Sequence, residues 1–264
     1  MRELKKSKSE ANKKISNVLG VGMILGELFE MEHSSIRTDY VPLKDLKNQE
    51  YEDLLNRLGL DINNFYLVNR KLYPICYMNG MVYVEIYQMS ETFFIDMKMR
   101  DIILFREKHY KELLDNKMYG KLFTLIDKPY RFYWYQQLYN DIPLEARYEL
   151  FIDIYRGSEY GFNSLDKEFV QEVFSVRPHK EINIFTDVVT IYRGEGSKST
   201  HYSEAYSWTT QLKTAKFFAN RFNSDGVIYQ AKVNKKDIID YLEGRGEAEI
   251  LVMPNKVYDI ERIN

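Results

Sequence analysis

A change of texture after Pro178 divides this sequence of 264 residues. Upstream, apolar residues recur mostly at the three- and four-residue spacing of helices. Downstream, short β-branched and aromatic runs follow one another: Ile182–Phe185, Val188–Arg193, Ala205–Thr209, Gly226–Val233 and Ala248–Met253. One helix, Thr214–Phe222, interrupts them. Helices first and strands afterwards predict an α+β fold, because the two patterns need different partners to bury their apolar faces.

The upstream part predicts several elements. Residues 1–60 read as mostly helical, with a helix over Gln49–Leu58 that Gly59 stops. A β-hairpin is expected over 72–87, with Asn79-Gly80 at its tip in a type I′ turn, which needs positive φ at both central residues. Pro74, lacking an N–H, assigns the first hairpin strand to a sheet edge. Helical spacing returns over 91–127, Leu144–Arg156 and Asp166–Phe174. A mainly helical region over 1–130 and a second domain over 131–264 are therefore expected.

Net charge is −2, from 37 basic and 39 acidic residues, which argues against a chain that wraps nucleic acid by charge alone. The lone Cys76 forms no intrachain disulfide, and His33, His109 and His179 have no metal-ligand spacing, so no metal is expected. A single thiol fits a reducing cytoplasm. Residues 1–14 hold six Lys or Arg and precede an apolar stretch, Val18–Leu25. That stretch falls short of the ~20 residues a membrane helix needs and lacks a cleavage signal, so it reads as an amphipathic helix or arm, with no membrane role. Its Gly20-x-Gly22 follows no strand and is a weak dinucleotide signal.

Three pieces of the β-rich part carry chemistry. Ile191-Tyr192-Arg193-Gly194 ends a strand; Tyr206-Ser207-Trp208-Thr209-Thr210 precedes the helix; Arg245-Gly246-Glu247-Ala248-Glu249 opens another strand. Arg193 offers a planar, permanently charged fork suited to phosphate oxygens, and Gly194 permits close backbone approach. Glu247 and Glu249, two apart, share one face of a strand, where like charges raise at least one carboxyl pKa.

In order and spacing these pieces resemble the Arg–Ser–Glu class of NAD-dependent mono-ADP-ribosyltransferases. The resemblance implies a split β-sandwich that clamps NAD as substrate. It implies Glu249, Glu247, Arg193 and Ser207 as catalytic residues. Arg193, Gly194, Ser207, Trp208, Thr209, Phe217 and Glu249 would contact NAD. Glu249 would stabilise the oxocarbenium-like state in which the nicotinamide–ribose bond breaks, with Ser207 holding it. Glu247 would activate the nucleophile, and the Tyr241–Gly246 turn, with Arg245, would meet the target.

The implied activity is mono-ADP-ribosylation of an intracellular macromolecule by a bacterial or phage toxin or defence effector, with an antitoxin protein as a possible partner. Glu-x-Glu resembles members that modify arginine, and a nucleic-acid base stands as the other acceptor. NAD hydrolysis and a catalytically inactive binding module are the alternatives. Tyr155-Arg156-Gly157 repeats a motif triplet but closes a helix and reads as structural; His201-Tyr202 lies in a loop and does not suit the His–Tyr–Glu class. The aromatic block at 129–139 reads as a packed helix face, against a base-stacking platform or a wall of the NAD pocket.

Overall fold

The computed structural model describes residues 40–68, 73–158, 162, 165–179, 181–221, 226–243 and 246–263. The expected N-terminal helix or arm with Gly20-x-Gly22, Leu72 at the start of the hairpin, and Arg245 lie outside the described residues. The fold is α+β, with eight α-helices and two antiparallel sheets among the described residues. Contacts divide it into two compact units, one ending at Val176 and the other beginning at Arg177. Among the described residues no helix is long and apolar enough to cross a membrane.

The described part of the first unit opens with a four-stranded meander: β1 (Tyr40–Pro42), β2 (Phe65–Val68), β3 (Ile75–Asn79) and β4 (Val82–Ile86). Helix α1 (Gln49–Leu58) sits between β1 and β2 with the expected ends. Asn48 accepts from the Glu50 and Tyr51 amides at 3.0 and 3.3 Å, and Gly59 closes the helix at φ 65°. The strand at Tyr40–Pro42 replaces helix expected there.

The hairpin forms with its turn one residue later than expected. Asn79 pairs with Val82, so the loop residues are Gly80 and Met81, and Gly80 alone of the two has positive φ, at 57°. Asn79 is held in the strand because its Nδ2 donates to Glu107 at 2.6 Å, and the Tyr77 hydroxyl donates to the same carboxylate. A type I′ turn centred on Asn79-Gly80 would break that arrangement. Nor is β3 an edge strand: it lies between β2 and β4. Pro74 precedes its first paired residue, so the missing N–H costs no ladder bond, and the Pro74 carbonyl still accepts from Val68 N at 2.7 Å.

Six more helices belong to the described residues of this unit: α2 (Glu91–Asp96), α3 (Met99–Asp115), α4 (Tyr119–Leu125), α5 (Arg131–Leu138), α6 (Leu144–Gly157) and α7 (Lys167–Ser175). The aromatic block lies in α5 and just before it, and it forms core. Tyr135 is fully buried, edge-on to Phe123 and Phe169 at 6.1 Å each and tilted against Phe151 at 5.7 Å, and its hydroxyl donates to the Arg147 carbonyl. That packing ties residues 131–176 to the first unit and sets the division later than residue 130.

Burial of so many phenols has a pH consequence. Burial pushes the Tyr110 hydroxyl, which donates to the Leu125 carbonyl at 2.7 Å, from 10.0 up to about 12, and it raises Tyr130 and Tyr135 further. A folded pKa above the unfolded one gives stability that is complete below pH 10 and lost as pH rises from 10 towards 12. Melting temperature is therefore expected to fall steeply above pH 10, with cooperative gain of tyrosinate absorbance. Simple titration near pH 10 with unchanged circular dichroism would contradict this packing.

The second unit is one sheet in the order β10-β7-β5-β6-β9-β8: β5 (Val188–Glu195), β6 (Ser207–Thr209), β7 (Val227–Asn234), β8 (Ile238–Leu242), β9 (Glu249–Val252) and β10 (Tyr258–Arg262). β5 and β7 pair along their full length, from Val188–Asn234 to Glu195–Val227. By contrast β5 and β6 share a single pair, Tyr192–Thr209, so the sheet divides there into two groups of three strands. Ile182–Phe185 is not a strand, and β8 and β10 occur where no strand was expected; Tyr241 and Leu242 belong to β8 rather than to the turn.

Strand alternation sorts the side chains of this sheet. Val189 and Ile191 of β5 share a core with Trp208, Ala231, Val233, Ile250 and Val252. Tyr192 and Gly194 face the other way, towards α8 (Leu212–Asn220), whose Ala215 and Ala219 pack with Ile228 and Tyr192. Two glycines let the helix lie this close: a Cβ on Gly194 would fall 1.9 Å from the Ala215 carbonyl oxygen, and one on Gly226 would fall 1.9 Å from that of Ala219.

Candidate active site

A cavity of about 200 Å³ opens where β5, β6, β9 and the first turns of α8 meet. Of the residues implicated by sequence, Arg193, Gly194, Ser207, Trp208, Thr209, Glu247 and Glu249 line it. Phe217 does not: it is 64% exposed, and its neighbour Phe218 lines the cavity instead. Helical spacing explains the difference, since the packed face of α8 runs through Ala215 and Ala219, and position 218 borders that face while 217 points away.

The register of β6 against β9 brings the central pair together. Thr209 lies opposite Glu249, and Ser207 lies two residues along the same face. The Ser207 hydroxyl donates to Glu249 Oε1. Trp208, between them, points to the opposite face and is buried in the strand core with 2% exposure.

Glu247 reaches the cavity by a different route from the expected one. β9 begins only at Glu249, and Ala248 has φ 47°, so simple strand alternation does not align the two carboxylates. A left-handed alanine costs about 1–2 kcal/mol. Thr209 offsets part of that: its hydroxyl donates to the Glu247 carbonyl at 2.6 Å and accepts from Gln211 N at 3.0 Å. The Thr210 amide donates to the Ala248 carbonyl at 3.1 Å. One threonine thus joins the kinked turn before β9 to the start of α8, and its hydroxyl is engaged by protein.

Arg193 also departs from expectation. Its Nη1 donates to the Ser207 carbonyl at 2.8 Å, its Nη2 donates to the Thr200 carbonyl at 2.6 Å, and its Nε lies 3.5 Å from Glu195 Oε1. The fork expected to take phosphate is directed at protein oxygens. It bridges β5 and β6 where their backbone ladder has stopped. Gly194 serves the close approach of α8, and its missing Cβ faces that helix.

Tyr192, Ser199, Thr214 and Ala215 complete the lining; Tyr192 stands within the first motif, and none of the four was assigned a role from the sequence. Ser199 is fixed by a tight turn in which its hydroxyl accepts from Gly196 N at 3.0 Å. The sequence signal for these residues was position alone: each lies within a few residues of a motif. His201 is exposed, hydrogen-bonded to Ser203 at 2.8 Å and packed on Tyr202, and it does not line the cavity.

No protein-family model, curated protein or solved structure matches this chain.

Proposed function

We propose that this protein is a mono-ADP-ribosyltransferase that moves ADP-ribose from NAD to an intracellular macromolecule. The observation that carries the reading is the Ser207–Glu249 hydrogen bond, inside a cavity that also holds Glu247 and is bordered by Arg193. The division of the sheet between β5 and β6 fits the split β-sandwich such enzymes use.

At about 200 Å³ the cavity is smaller than the ~300–1,000 Å³ of a pocket that encloses a whole drug-sized ligand. It suits the nicotinamide and its ribose, with Phe218 as an apolar wall and the rest of the dinucleotide outside. Glu249, fixed by Ser207, opposes the positive charge that develops on the ribose as the carbon–nitrogen bond to nicotinamide breaks. Glu247 accepts the proton of the incoming nucleophile, which bonds to the vacated ribose carbon. Nicotinamide and a proton leave.

The test uses purified protein, radiolabelled NAD and a bacterial lysate, with Glu247→Ala alongside. Label removed only by protease indicates a protein acceptor, and arginine is the first residue to examine. Label removed by nuclease indicates a base. Glu247→Ala is expected to lose transfer by about 10²-fold while nicotinamide release to water falls less than about tenfold. Equal loss of both would take away the nucleophile-activating role. Nicotinamide release without label would make the protein an NAD glycohydrolase. Neither label nor release, with no NAD binding by calorimetry, would leave an inactive module of the same shape.

A further inference from the structure

Glu195 closes β5 two residues after Arg193, and it belongs neither to the sequence motif nor to the cavity wall. Alternation places both side chains on the β5 face that carries Val189 and Ile191. Both are largely covered there, with side chains 14% and 12% exposed, and their facing Nε and Oε1 atoms are buried 3.5 Å apart. That carboxylate oxygen makes no hydrogen bond among the described residues, so its compensation there is the charge of Arg193. Nearby Tyr229, opposite Arg193 on β7, has its hydroxyl pKa raised by burial first and by Glu195 second.

We propose that Glu195 is a positioning residue: it orients the Arg193 guanidinium, which in turn holds Ser207 against Glu249. A guanidinium is a rigid planar fork, so a charge at the Nε edge sets the plane in which both Nη groups point. Those groups reach the carbonyls of Thr200 and Ser207, one in the loop before β6 and one in the strand itself. Because β5 and β6 share one backbone pair, no continuous ladder duplicates this brace. A buried ion pair of this kind is interdependent, since removing either charge leaves the other uncompensated in low dielectric.

The catalytic part of this inference rests on the transferase reading, so its test has two arms. In the whole 264-residue chain, Glu195→Gln keeps size and removes charge. It is expected to lower kcat for nicotinamide release by about 10- to 100-fold, as small misplacements in a site do, with KM for NAD within about twofold. The Arg193→Lys/Glu195→Gln double variant should be no slower than Arg193→Lys alone. A fall in KM with kcat unchanged would overturn the proposal and make Arg193 a phosphate ligand that Glu195 merely neutralises. Additive losses would overturn it as well.

The second arm needs no activity. Amide hydrogen exchange over 205–210 should quicken equally in both single variants and in the double, while 228–233 on β7 stays protected. Unchanged exchange over 205–210 in Glu195→Gln would refute the brace even if the wild-type protein never cleaved NAD. A wild-type protein without activity but with that exchange pattern would refute the transferase reading and leave the brace standing.

Discussion

Glu249→Gln is expected to reduce nicotinamide release by about 10³-fold or more while leaving the fold and NAD affinity almost unchanged. Gln keeps the shape of the side chain and an oxygen able to accept from Ser207, so the β6–β9 contact survives. What it loses is the negative charge. An oxocarbenium-like state develops positive charge that the ground state of NAD lacks at that carbon, so the loss should appear in kcat rather than in KM. Steady-state kinetics on the purified variant, with a thermal melt beside them, check both halves. Full activity in Glu249→Gln would remove Glu249 from the chemistry. Lost activity with a lowered melting temperature would leave the chemical role unproven and require the Asp variant.

A large effect on stability is expected at Gly194. Changing it to Ala puts a methyl 1.9 Å from the Ala215 carbonyl oxygen and 2.6 Å from the Ala219 amide nitrogen. Both obstacles are helix backbone, which cannot rotate away as a side-chain tip would. Helix α8 must move off the sheet, or β5 must bend. Overpacking of a well-filled interior costs about 1–3 kcal/mol and rises where backbone is the obstacle. For a unit of this size that lowers the melting temperature by on the order of 10 °C. Activity should fall too, since Thr214, Ala215 and Phe218 of α8 line the cavity. Gly120 supplies the contrast: in α4, with nothing among the described residues within 4 Å of an added Cβ, Gly120→Ala should be neutral or stabilise by up to about 1 kcal/mol. A normal melt for Gly194→Ala would mean that α8 does not rest on β5 as described.

Local signals were legible where a short stretch of chain supplies its own reason. Helix α1 begins at Asn48 and ends at Gly59 because both caps are made by residues within a turn of the helix end. Arg193, Ser207, Glu247 and Glu249 reach one cavity from three separate motifs, each next to or within a strand, as their order suggested. The hairpin was legible as a hairpin, but its turn position was not. Asn-Gly favours one turn locally, and a carboxylate on α3, distant in sequence, holds Asn79 in the strand. β8 and β10 escaped notice for a related reason: pairing with β9 and β7 defines them, and neither is a long run with a clean alternation.

The site shows the same division at closer range. Residue type and spacing by themselves determined that a hydroxyl, two carboxylates and a guanidinium stand near strand ends, and that a helix follows the strand carrying Ser207. Tertiary structure alone decided what each group touches. It directed Arg193 to the carbonyls of Thr200 and Ser207 and to Glu195, chose Phe218 over Phe217, and brought Glu247 in through a left-handed alanine rather than a regular strand. The physical reason is range. Caps, turns and periodicity are settled by neighbours a few residues away, whereas the partner of a charge or hydroxyl is settled by whichever strand lies alongside it, and that is a property of the register of the whole sheet.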